Sequence, residues 1–409
     1  MDILRSLNDP AVWQEFLDYK LASGHLSRED GQALTDFVSA QCYRPTARRI
    51  LRGEGFSPPK KSLIGKLGTG KKRVVYTYTE EENTVLKLLT FLLQRRYDRL
   101  FAPNLYSFRR YKGVRDAVGT LTAHPGIQAM WCYKTDIHNY FNSVPVDRLL
   151  PILDRALADA PDTCRFLTGL LTDPRVNDRG TLVEEEKGIM AGIPVSTFLA
   201  NLYLAHLDRH FHDRGVLYAR YSDDIILFAP TRDKLEEHVS YLLTALDRAG
   251  LRVNPAKEVR CAPGEAWSFL GICYRDGAVD VSPVSVEKLK AKMRRKTRAL
   301  ARWQAKKGVD GLCAARAFVK AFHKKLYENP VDHELTWARW YFPLINTTES
   351  LKAIDQYSQQ CIRTLATGKH TKGAYRFRYD DIRALGYVPL VSAYYSPAAA
   401  GGSNELPSA

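Results

Sequence analysis

The sequence predicts an α+β fold in which helices alternate with antiparallel strands. Apolar residues recur at helical spacing over 198–211, which indicates an amphipathic helix. The stretch 216–230 contains two apolar runs around a polar turn, which is the pattern of a β-hairpin. Hydrophobic residues make up 45% of the 409 residues, enough for an ordinary buried core.

The remaining elements follow from the same periodicities in chain order. We expect helices up to about residue 50, then a linker rich in Gly, Pro and Lys over 53–72 that runs into a basic loop. The further predicted helices are 80–101, 146–160, 163–171, 232–249 and 286–307, with others up to about 367. The further predicted strands are 73–79, 131–137 and 267–274. The small, polar residues of 396–409 predict a disordered end.

The charge balance indicates a polyanionic partner. Lys and Arg number 60 against 45 Asp and Glu, which gives a net charge of +15. Nucleic acid is the first expectation, and the alternatives are an anionic membrane or no specific partner. Seven scattered cysteines form no CxxC pair, which argues against a zinc site and a disulfide framework. No apolar run reaches the roughly 18 residues of a membrane span, and no signal-peptide pattern opens the chain, so we expect a cytoplasmic protein without membrane contact.

The pair Asp223-Asp224 is the main candidate for chemistry. Adjacent carboxylates at a tight hairpin turn repel each other, and a divalent cation is the usual compensation. Asp136 ends an earlier apolar strand, so three carboxylates could meet at strand ends and hold two Mg²⁺ ions. A solvated turn rich in Asp is the alternative, although the apolar flanks YARY and IILFAP argue against it.

Seven segments in order give this pair a context. They are KKRVVYTYTEEENTVLKLLTFLL, NLYSFRRYKGVRDAV, TDIHNYFNSV, KGIMAGIPVSTFLANLYLAHLD, YSDDIILFA, NPAKEV and FLGI. Together they resemble the reverse transcriptases, especially the bacterial enzymes related to group II intron proteins. The resemblance covers roughly residues 64–275, and the order of the blocks is far more specific than any single block.

The resemblance implies a right-hand polymerase of fingers, palm and thumb. The palm would be an antiparallel sheet with helices on one face, followed by a helical thumb. The implied division is an N-terminal helical region over 1–60, fingers and palm over 61–284, a basic helical thumb over 285–380 and a tail over 381–409. The implied activity is RNA-directed DNA polymerisation, in which a 3′-hydroxyl attacks the α-phosphate of a dNTP and cDNA forms on an RNA template.

The resemblance also implies roles for individual residues. The metal ligands for Mg²⁺ would be Asp136, Ile137, Asp223 and Asp224. Lys257 would be catalytic as the general acid for the leaving pyrophosphate, although a surface lysine is an equal alternative. The dNTP contacts would be Arg73, Arg109, Phe141 and Gly192. Basic residues on a fingers loop could equally be solvated.

Two positions in these blocks affect nucleotide selection. Phe141, five residues after Asp136, would block a ribose 2′-hydroxyl and so make the product DNA, with Tyr140 packed behind it. The alternative is that both aromatics are core residues. The usual Pro-Gln-Gly is replaced by Met190-Ala191-Gly192, so a dNTP contact through that Gln is in doubt, while Gly192 would still permit close approach of the backbone to a nucleotide.

Nucleic-acid contacts are expected from two basic segments. The segment 286–307 contains ten Lys and Arg against one acid, Glu287, and would follow a template–product backbone. The second segment is the basic loop of the fingers. The residues proposed to bind nucleic acid are Lys71 and Lys72 in that loop and, in 286–307, Lys288, Lys292, Arg295, Arg298 and Arg302.

The subfamily is narrowed by what the sequence lacks. It has no HNH-type nuclease pattern, no NAxxH segment and no VTG triplet, and Ser196 is followed by Thr197 where diversity-generating elements have Gln. The segment YDDIRALGYVPLVSAYY resembles the stand-alone defence-associated reverse transcriptases, the second type in particular. Those enzymes work with a structured non-coding RNA. The resemblance therefore implies such an RNA as partner and a role in antiphage defence. The alternatives are a retron-type enzyme that makes RNA-linked DNA, a non-catalytic maturase-like RNA-binding protein, and an RNA-synthesising enzyme, against which Phe141 argues.

Overall fold

The computed structural model describes residues 2–23, 26–65, 72–327, 336–369 and 371–396. The chain divides into two compact units. The first comprises Met1–Ser23 with Glu29–Pro263, and the second comprises Gly24–Arg28 with Gly264–Ala409. Within the described ranges, no helix has the length and apolar character that a membrane crossing requires.

The first unit combines helices with two four-stranded sheets. Its helices are α1 Ile3–Ser6, α2 Pro10–Ala22, α3 Arg28–Ser39, α4 Arg44–Leu51, α5 Glu80–Tyr97, α6 Val114–Thr122, α7 Tyr140–Ser143, α8 Val146–Ala156, α9 Pro161–Thr172, α10 Ser196–Tyr203, α11 Ala205–Asp213 and α12 Arg232–Arg248. Its strands are β1 Lys60–Gly65, β2 Lys72–Thr77, β3 Trp131–Asp136, β4 Arg175–Asp178, β5 Thr181–Glu184, β6 Tyr218–Tyr221, β7 Asp224–Ala229 and β8 Val259–Cys261.

The central sheet has the strand order β6-β7-β3-β8, and all of its pairings are antiparallel. The predicted hairpin over 216–230 is confirmed as β6 and β7. Helix α12 packs against β3 and β7. Residues Ile225–Ala229 of β7 are buried, since this strand lies between β6 and β3 and has no free edge. The pairing of β3 with β7 therefore fixes the ends of these two strands next to each other.

The second sheet has the order β2-β1-β4-β5 and corrects the predicted linker over 53–72. Residues 60–65 form β1, which pairs antiparallel with β2 in the register Lys60↔Thr77 to Gly65↔Lys72. Most residues of β1 are exposed or half-buried. The strand therefore lacks the alternation of apolar and polar residues by which sequence analysis finds strands.

The N-terminal helices share a core with the rest of the first unit. Trp13 stacks on Tyr43 with ring centroids 4.4 Å apart. Phe16 contacts Phe91 of α5 at 5.5 Å. These buried aromatic contacts mean that the predicted N-terminal region over 1–60 is not a compact unit by itself.

Two predicted elements are each divided in the structure. The expected helix over 198–211 consists of α10 and α11, because the backbone leaves helical geometry at Leu204 (φ −104°, ψ 11°). The expected strand over 267–274 is a hairpin of β9 and β10. Its turn places Leu270 and Gly271 at positive φ, and a Cβ on Gly271 would lie 2.9 Å from the hydroxyl of Tyr341.

The second unit joins a three-stranded sheet to a helical bundle. Its elements are β9 Trp267–Phe269, β10 Ile272–Arg275, β11 Ala278–Val281, α13 Pro283–Lys307, α14 Gly311–Leu326, α15 Trp337–Tyr341, α16 Glu349–Thr367, α17 Tyr379–Ala384 and α18 Leu390–Tyr394. Helices α13, α14 and α16 pack against one another. The boundary between the units therefore falls after residue 263, earlier than the predicted 284, because β9–β11 belong with these helices.

The predicted tail over 381–409 begins inside this bundle. The buried carboxylate of Asp355 accepts hydrogen bonds from the N–H groups of Leu390 (2.8 Å) and Val391 (3.1 Å) and from the hydroxyl of Tyr387 (2.8 Å). Residues 381–396 are therefore an anchored part of the second unit, and 397–409 lie outside the described residues.

Candidate active site

The central sheet brings the three predicted acids to one place. In the pairing of β3 with β7, Asp136 lies directly opposite Asp224. The carbonyl of Asp223 accepts a hydrogen bond of 2.9 Å from the N–H of Ile137, which joins the turn between β6 and β7 to the end of β3. Asp136 and Asp224, 88 positions apart in the sequence, thus lie at the same end of the sheet.

Polar contacts with neighbouring segments hold the turn that carries Asp223. Ser222 adopts a left-handed conformation (φ 60°), and its N–H donates to the hydroxyl of Ser107 at 2.8 Å. Ser107 in turn contacts Asn201 of α10, whose side-chain amide donates to the Ser107 carbonyl at 2.8 Å. The turn is thereby fixed by residues of two other predicted blocks.

Asp136 is the most deeply buried of the three acids, with 5% of its surface exposed. One of its carboxylate oxygens, Oδ2, forms an ion pair with the ammonium of Lys257. The other oxygen, Oδ1, is buried and has no hydrogen-bond partner in the part of the chain that the structure describes. The backbone carbonyl of Asp136 accepts a hydrogen bond of 2.9 Å from the N–H of Asn254. Asn254 in turn caps the short 3₁₀ turn Pro255–Lys257. The position of Lys257 is thus tied to the end of β3.

The three carboxylates interact electrostatically. Burial, together with the adjacent charge of Asp223, raises the pKa of Asp224 to about 6. Burial also raises the pKa of Asp223, with a contribution from Asp136. The cations Lys257 and Arg73 oppose this rise at Asp223. Concentrated negative charge in a buried site is the condition that a divalent cation relieves.

The residues present fit a hard divalent cation such as Mg²⁺. All three side chains offer carboxylate oxygens, and the unpartnered Oδ1 of Asp136 is a buried acceptor without a donor. Among the described residues, no three His, Cys, Asp or Glu side chains are already close enough to enclose a metal ion. In this arrangement the Lys257 ammonium supplies the positive charge beside Asp136.

Phe141 lies on α7, which begins four residues after Asp136. Its half-buried ring faces Phe108 edge-on, with the ring centroids 6.3 Å apart. Phe108 is itself at positive φ (54°) and lies 6.5 Å from the ring of Tyr221. Tyr140 is buried, and its hydroxyl donates to the carbonyl of Ala200 at 2.6 Å. Of the two aromatics, Phe141 is the one that keeps an accessible face.

The loop 188–192 packs against the backbone of β2, and this contact gives a structural reason for the glycine at position 192. Gly192 has φ 103°, and a Cβ there would lie 2.7 Å from the carbonyl oxygen of Tyr76 in β2. The N–H of Tyr76 also donates to the Ala191 carbonyl at 2.8 Å. The close approach that we expected toward a nucleotide is therefore made to β2. A nucleotide contact by Gly192 is still a prediction.

The predicted basic dNTP contacts differ in position. Arg73 is exposed on β2, and its positive charge lowers the pKa of Asp223. The guanidinium of Arg109 instead pairs with Asp98 through contacts of 2.8 and 2.7 Å and donates to the carbonyl of Ala102 at 2.8 Å. Arg109 is thus engaged in an ion pair with Asp98, and its contact with a dNTP stays a prediction. Lys72 is exposed on β2, and Lys71 lies outside the described residues.

In the second unit, the predicted nucleic-acid residues lie on one helix. All five are exposed on α13: Lys288, Lys292, Arg295, Arg298 and Arg302. Their spacing of three and four residues places them along one face. Burial lowers the pKa of Lys292, and the charges of Lys325, Arg295 and Lys288 lower it further. Cations from α13 and α14 therefore form one electropositive surface.

Sequence reasoning missed the supports of the site. Arg220 and Asp208 form a fully buried ion pair. The sequence analysis placed these residues in a hairpin and a helix but did not predict that they pair. A signal was present, since an arginine inside the otherwise apolar strand YARY requires a buried partner. Asn142 was also missed, because a polar residue after an aromatic has no distinguishing pattern.

Comparison with known proteins places the chain among enzymes of one type. The family described as "Reverse transcriptase (RNA-dependent DNA polymerase)" matches residues 58–274, more than half of the chain. The retron Ec86 reverse transcriptase of Escherichia coli is 23% identical over 237 residues, which cover 56% of this chain and 67% of that protein. Protein YkfC of Escherichia coli K12 is 25% identical over 178 residues, 41% of this chain and 45% of that protein.

Other similarities extend over smaller or more distant matches. An uncharacterised 91 kDa protein in the cob intron of Schizosaccharomyces pombe is 28% identical over 162 residues, 37% of this chain and 18% of that protein. Among solved structures, apo telomerase from Candida tropicalis is similar with a TM-score of 0.47 and 12% identity, over 83% of this chain and 69% of that one. The chain thus spans less than half the length of two of these three curated relatives.

Proposed function

Because the chain belongs to the reverse transcriptase family, we propose that it is an RNA-directed DNA polymerase that makes cDNA from dNTPs on an RNA template. Its fold is the α+β right hand, and we assign the central sheet to the palm. The observation that carries the proposal is the register of β3 with β7, which sets Asp136 opposite Asp224 beside Asp223. We further assign the second sheet to the fingers and the helices of the second unit to the thumb.

Asp136, Asp223 and Asp224 would hold the divalent cation, together with the carbonyl of Ile137. When bound, Mg²⁺ would activate the attacking 3′-hydroxyl and neutralise charge on the leaving pyrophosphate. The chain's own residues position the substrate around it. Arg73 offers positive charge to the triphosphate, and Lys257 holds a proton at Nζ that it can give to the pyrophosphate.

Phe141 would select the sugar. Its ring is only half-buried, and in this assignment a ribose 2′-hydroxyl would collide with the ring whereas a deoxyribose would not. The buried Tyr140 supports α7 through its bond to Ala200 and has no free face for a nucleotide. The preferred substrates are therefore dNTPs.

The template is proposed to be a structured non-coding RNA, and the setting to be antiphage defence in the cytoplasm. The support is the sequence resemblance to stand-alone defence-associated enzymes and the electropositive face of α13, which suits a phosphate backbone. A retron-type enzyme is the second candidate, because a retron reverse transcriptase is among the relatives. A non-catalytic RNA-binding protein is less favoured, since it would not need to keep all three acids.

The test is a double substitution with a control that the sequence itself provides. The segment Tyr379-Asp380-Asp381-Ile382 also contains two adjacent Asp residues after a tyrosine, but both acids are exposed in the first turn of α17. Asp223→Ala with Asp224→Ala should abolish primer extension on an RNA template and leave RNA binding nearly unchanged. Asp380→Ala with Asp381→Ala should leave extension intact.

Sequencing of nucleic acid that copurifies with the chain would separate the two candidates. Free cDNA complementary to one RNA supports the proposed function, whereas DNA covalently linked to RNA supports the retron-type enzyme. Primer extension that survives the loss of Asp223 and Asp224 would refute the assignment of these two acids as metal ligands, and a chain that does not extend primers at all would refute the polymerase function.

A further inference from the structure

The side chain of Asn142 connects three segments around the proposed sugar site. Its amide oxygen accepts a hydrogen bond of 2.9 Å from the N–H of Ala191. Its amide nitrogen donates to the carbonyl of Val74 at 3.2 Å. One side chain thus joins α7, the loop 188–192 and strand β2.

Two of these segments, α7 and β2, carry a residue of the proposed dNTP site. Asn142 directly follows Phe141, and Val74 directly follows Arg73. The carbonyl of Phe141 also accepts from the N–H of Ile189 at 2.8 Å, which holds the same loop on the other side. The position of the Phe141 ring relative to Arg73 therefore depends on contacts that converge at Asn142.

The packing around this junction leaves little freedom for adjustment. A Cβ on Gly188 would lie 2.6 Å from the carbonyl oxygen of Phe141 and 2.8 Å from that of Asn142. Met190 is held at positive φ (60°), which is uncommon for a residue with a side chain. Because backbones touch here, a shift of the loop must move α7 or β2 as well.

Because Ala191 stands where the family usually has Gln, the position of this loop depends more on the contact with Asn142. An alanine side chain offers no hydrogen bond to a nucleotide or to the neighbouring strand. The loop is then fixed through its backbone, and Asn142 is the side chain that binds the N–H of Ala191.

We propose that Asn142 is a positioning residue that fixes Phe141 relative to Arg73 and so sets dNTP affinity and sugar selectivity. This inference rests on the proposed polymerase function. Asn142 acts through the two flanking residues and need not touch the substrate. A displacement of such neighbours by a fraction of an ångström is sufficient to alter the reaction rate by roughly tenfold or more.

Asn346 provides a matched control in the second unit. Its amide oxygen accepts from the N–H of Val279 at 2.7 Å, and its amide nitrogen donates to the carbonyl of Gly277 at 2.8 Å. Asn142→Ala and Asn346→Ala each remove a side chain that bridges two backbone groups. Both should lower the melting temperature, but only the first should alter nucleotide use.

The experiment measures kcat and KM for a dNTP and for the matching rNTP on an RNA template, together with the melting temperature. We expect Asn142→Ala to raise the dNTP KM and reduce the dNTP preference, each by about tenfold. We expect Asn346→Ala to leave both within about twofold. Asn142→Asp keeps the acceptor for Ala191 and should retain most of the sugar preference.

The possible outcomes separate this inference from the proposed function. If the unaltered chain extends primers and Asn142→Ala matches Asn346→Ala in every kinetic constant, the positioning role is wrong and the polymerase function stands. If the unaltered chain does not extend primers at all, the proposed function fails first. Rescue of the sugar preference by Asn142→Asp, but not by alanine, would support the role of the Ala191 contact.

Discussion

Arg220 and Asp208 form a fully buried ion pair next to the turn that carries Asp223 and Asp224. The guanidinium of Arg220 contacts the carboxylate of Asp208 at two points, 2.8 and 2.5 Å, and neither side chain is exposed. Arg220 also donates to the carbonyl of Ser222 at 3.2 Å, so the pair holds the turn directly. Burial of both charges makes the pair sensitive to the loss of either partner.

Arg220→Met should therefore destabilise the chain strongly. It leaves the Asp208 carboxylate buried and unpaired, a loss that costs about 3–5 kcal/mol in comparable pairs. Combining it with Asp208→Leu should recover most of that cost, because no unpaired charge remains. The free energy of unfolding from denaturant titration is the measurement.

The exposed pair of Arg260 with Glu236 is the control. It has a similar contact of 2.9 Å, but about two fifths of each side chain is exposed. Arg260→Met should cost less than about 1 kcal/mol. Equal losses for Arg220→Met and Arg260→Met would contradict the claim that burial makes the inner pair essential.

Phe141→Val should admit ribonucleotides. Removal of the ring opens space for a 2′-hydroxyl, and the preference for dNTP over rNTP should fall by roughly tenfold or more. Incorporation of each nucleotide on an RNA template by single-nucleotide primer extension is the measurement. Tyr140→Phe removes the hydroxyl that bonds to Ala200 and should lower stability by about 1 kcal/mol without a change in sugar preference. If Tyr140→Phe relaxed the preference and Phe141→Val did not, the gate would be assigned to the wrong aromatic.

Local patterns in the sequence were sufficient for most of the fold. The apolar runs around Ser222 and Asp223 predicted the hairpin, and the regular apolar spacing of 232–249 predicted α12. Strand β1 could not be found in this way, because none of its residues is buried and its pairing with β4 is a long-range contact. The break between α10 and α11 was equally hidden, since the amphipathic pattern continues through Leu204.

For the site, the sequence predicted residue types better than their connections. The meeting of Asp136 with Asp224 followed from strand ends and from family resemblance. Arg109 was placed by resemblance at a nucleotide, yet the nearby Asp98 engages its guanidinium. Hydrogen bonds between distant segments, such as that of Asn142 with Ala191, leave no periodic trace and require coordinates.

Neutralising cations on α13 should weaken RNA binding and reduce its salt dependence. Lys288→Gln with Lys292→Gln removes two charges from the face shared with Lys325 of α14. The slope of log affinity against log salt should decrease by about 1.5, because fewer counterions are released. Binding titrations at several salt concentrations measure this slope.

A pair of cations on another part of the same helix gives the control. Arg294 donates to the hydroxyl of Tyr357 on α16 at 3.1 Å, and Lys290 lies over the same ring. Lys290→Gln with Arg294→Gln removes the same charge from the side toward α16, and the slope should change little. Equal slopes for the two double variants would remove the proposed face from the RNA contact.

Lys257→Met should strengthen the binding of a divalent cation. The Lys257 ammonium pairs with Asp136 and adds positive potential at Asp223 and Asp224, so it competes with a metal ion for the same charge. An ion pair that is half-exposed on one side contributes about 1 kcal/mol, which corresponds to roughly fivefold tighter Mn²⁺ binding after its removal. The amount of bound Mn²⁺ follows from electron paramagnetic resonance of the protein without nucleotide. Lys257→Arg keeps the charge and should leave the affinity nearly unchanged. Weaker Mn²⁺ binding by Lys257→Met would show that Lys257 supports the acids and does not compete for them.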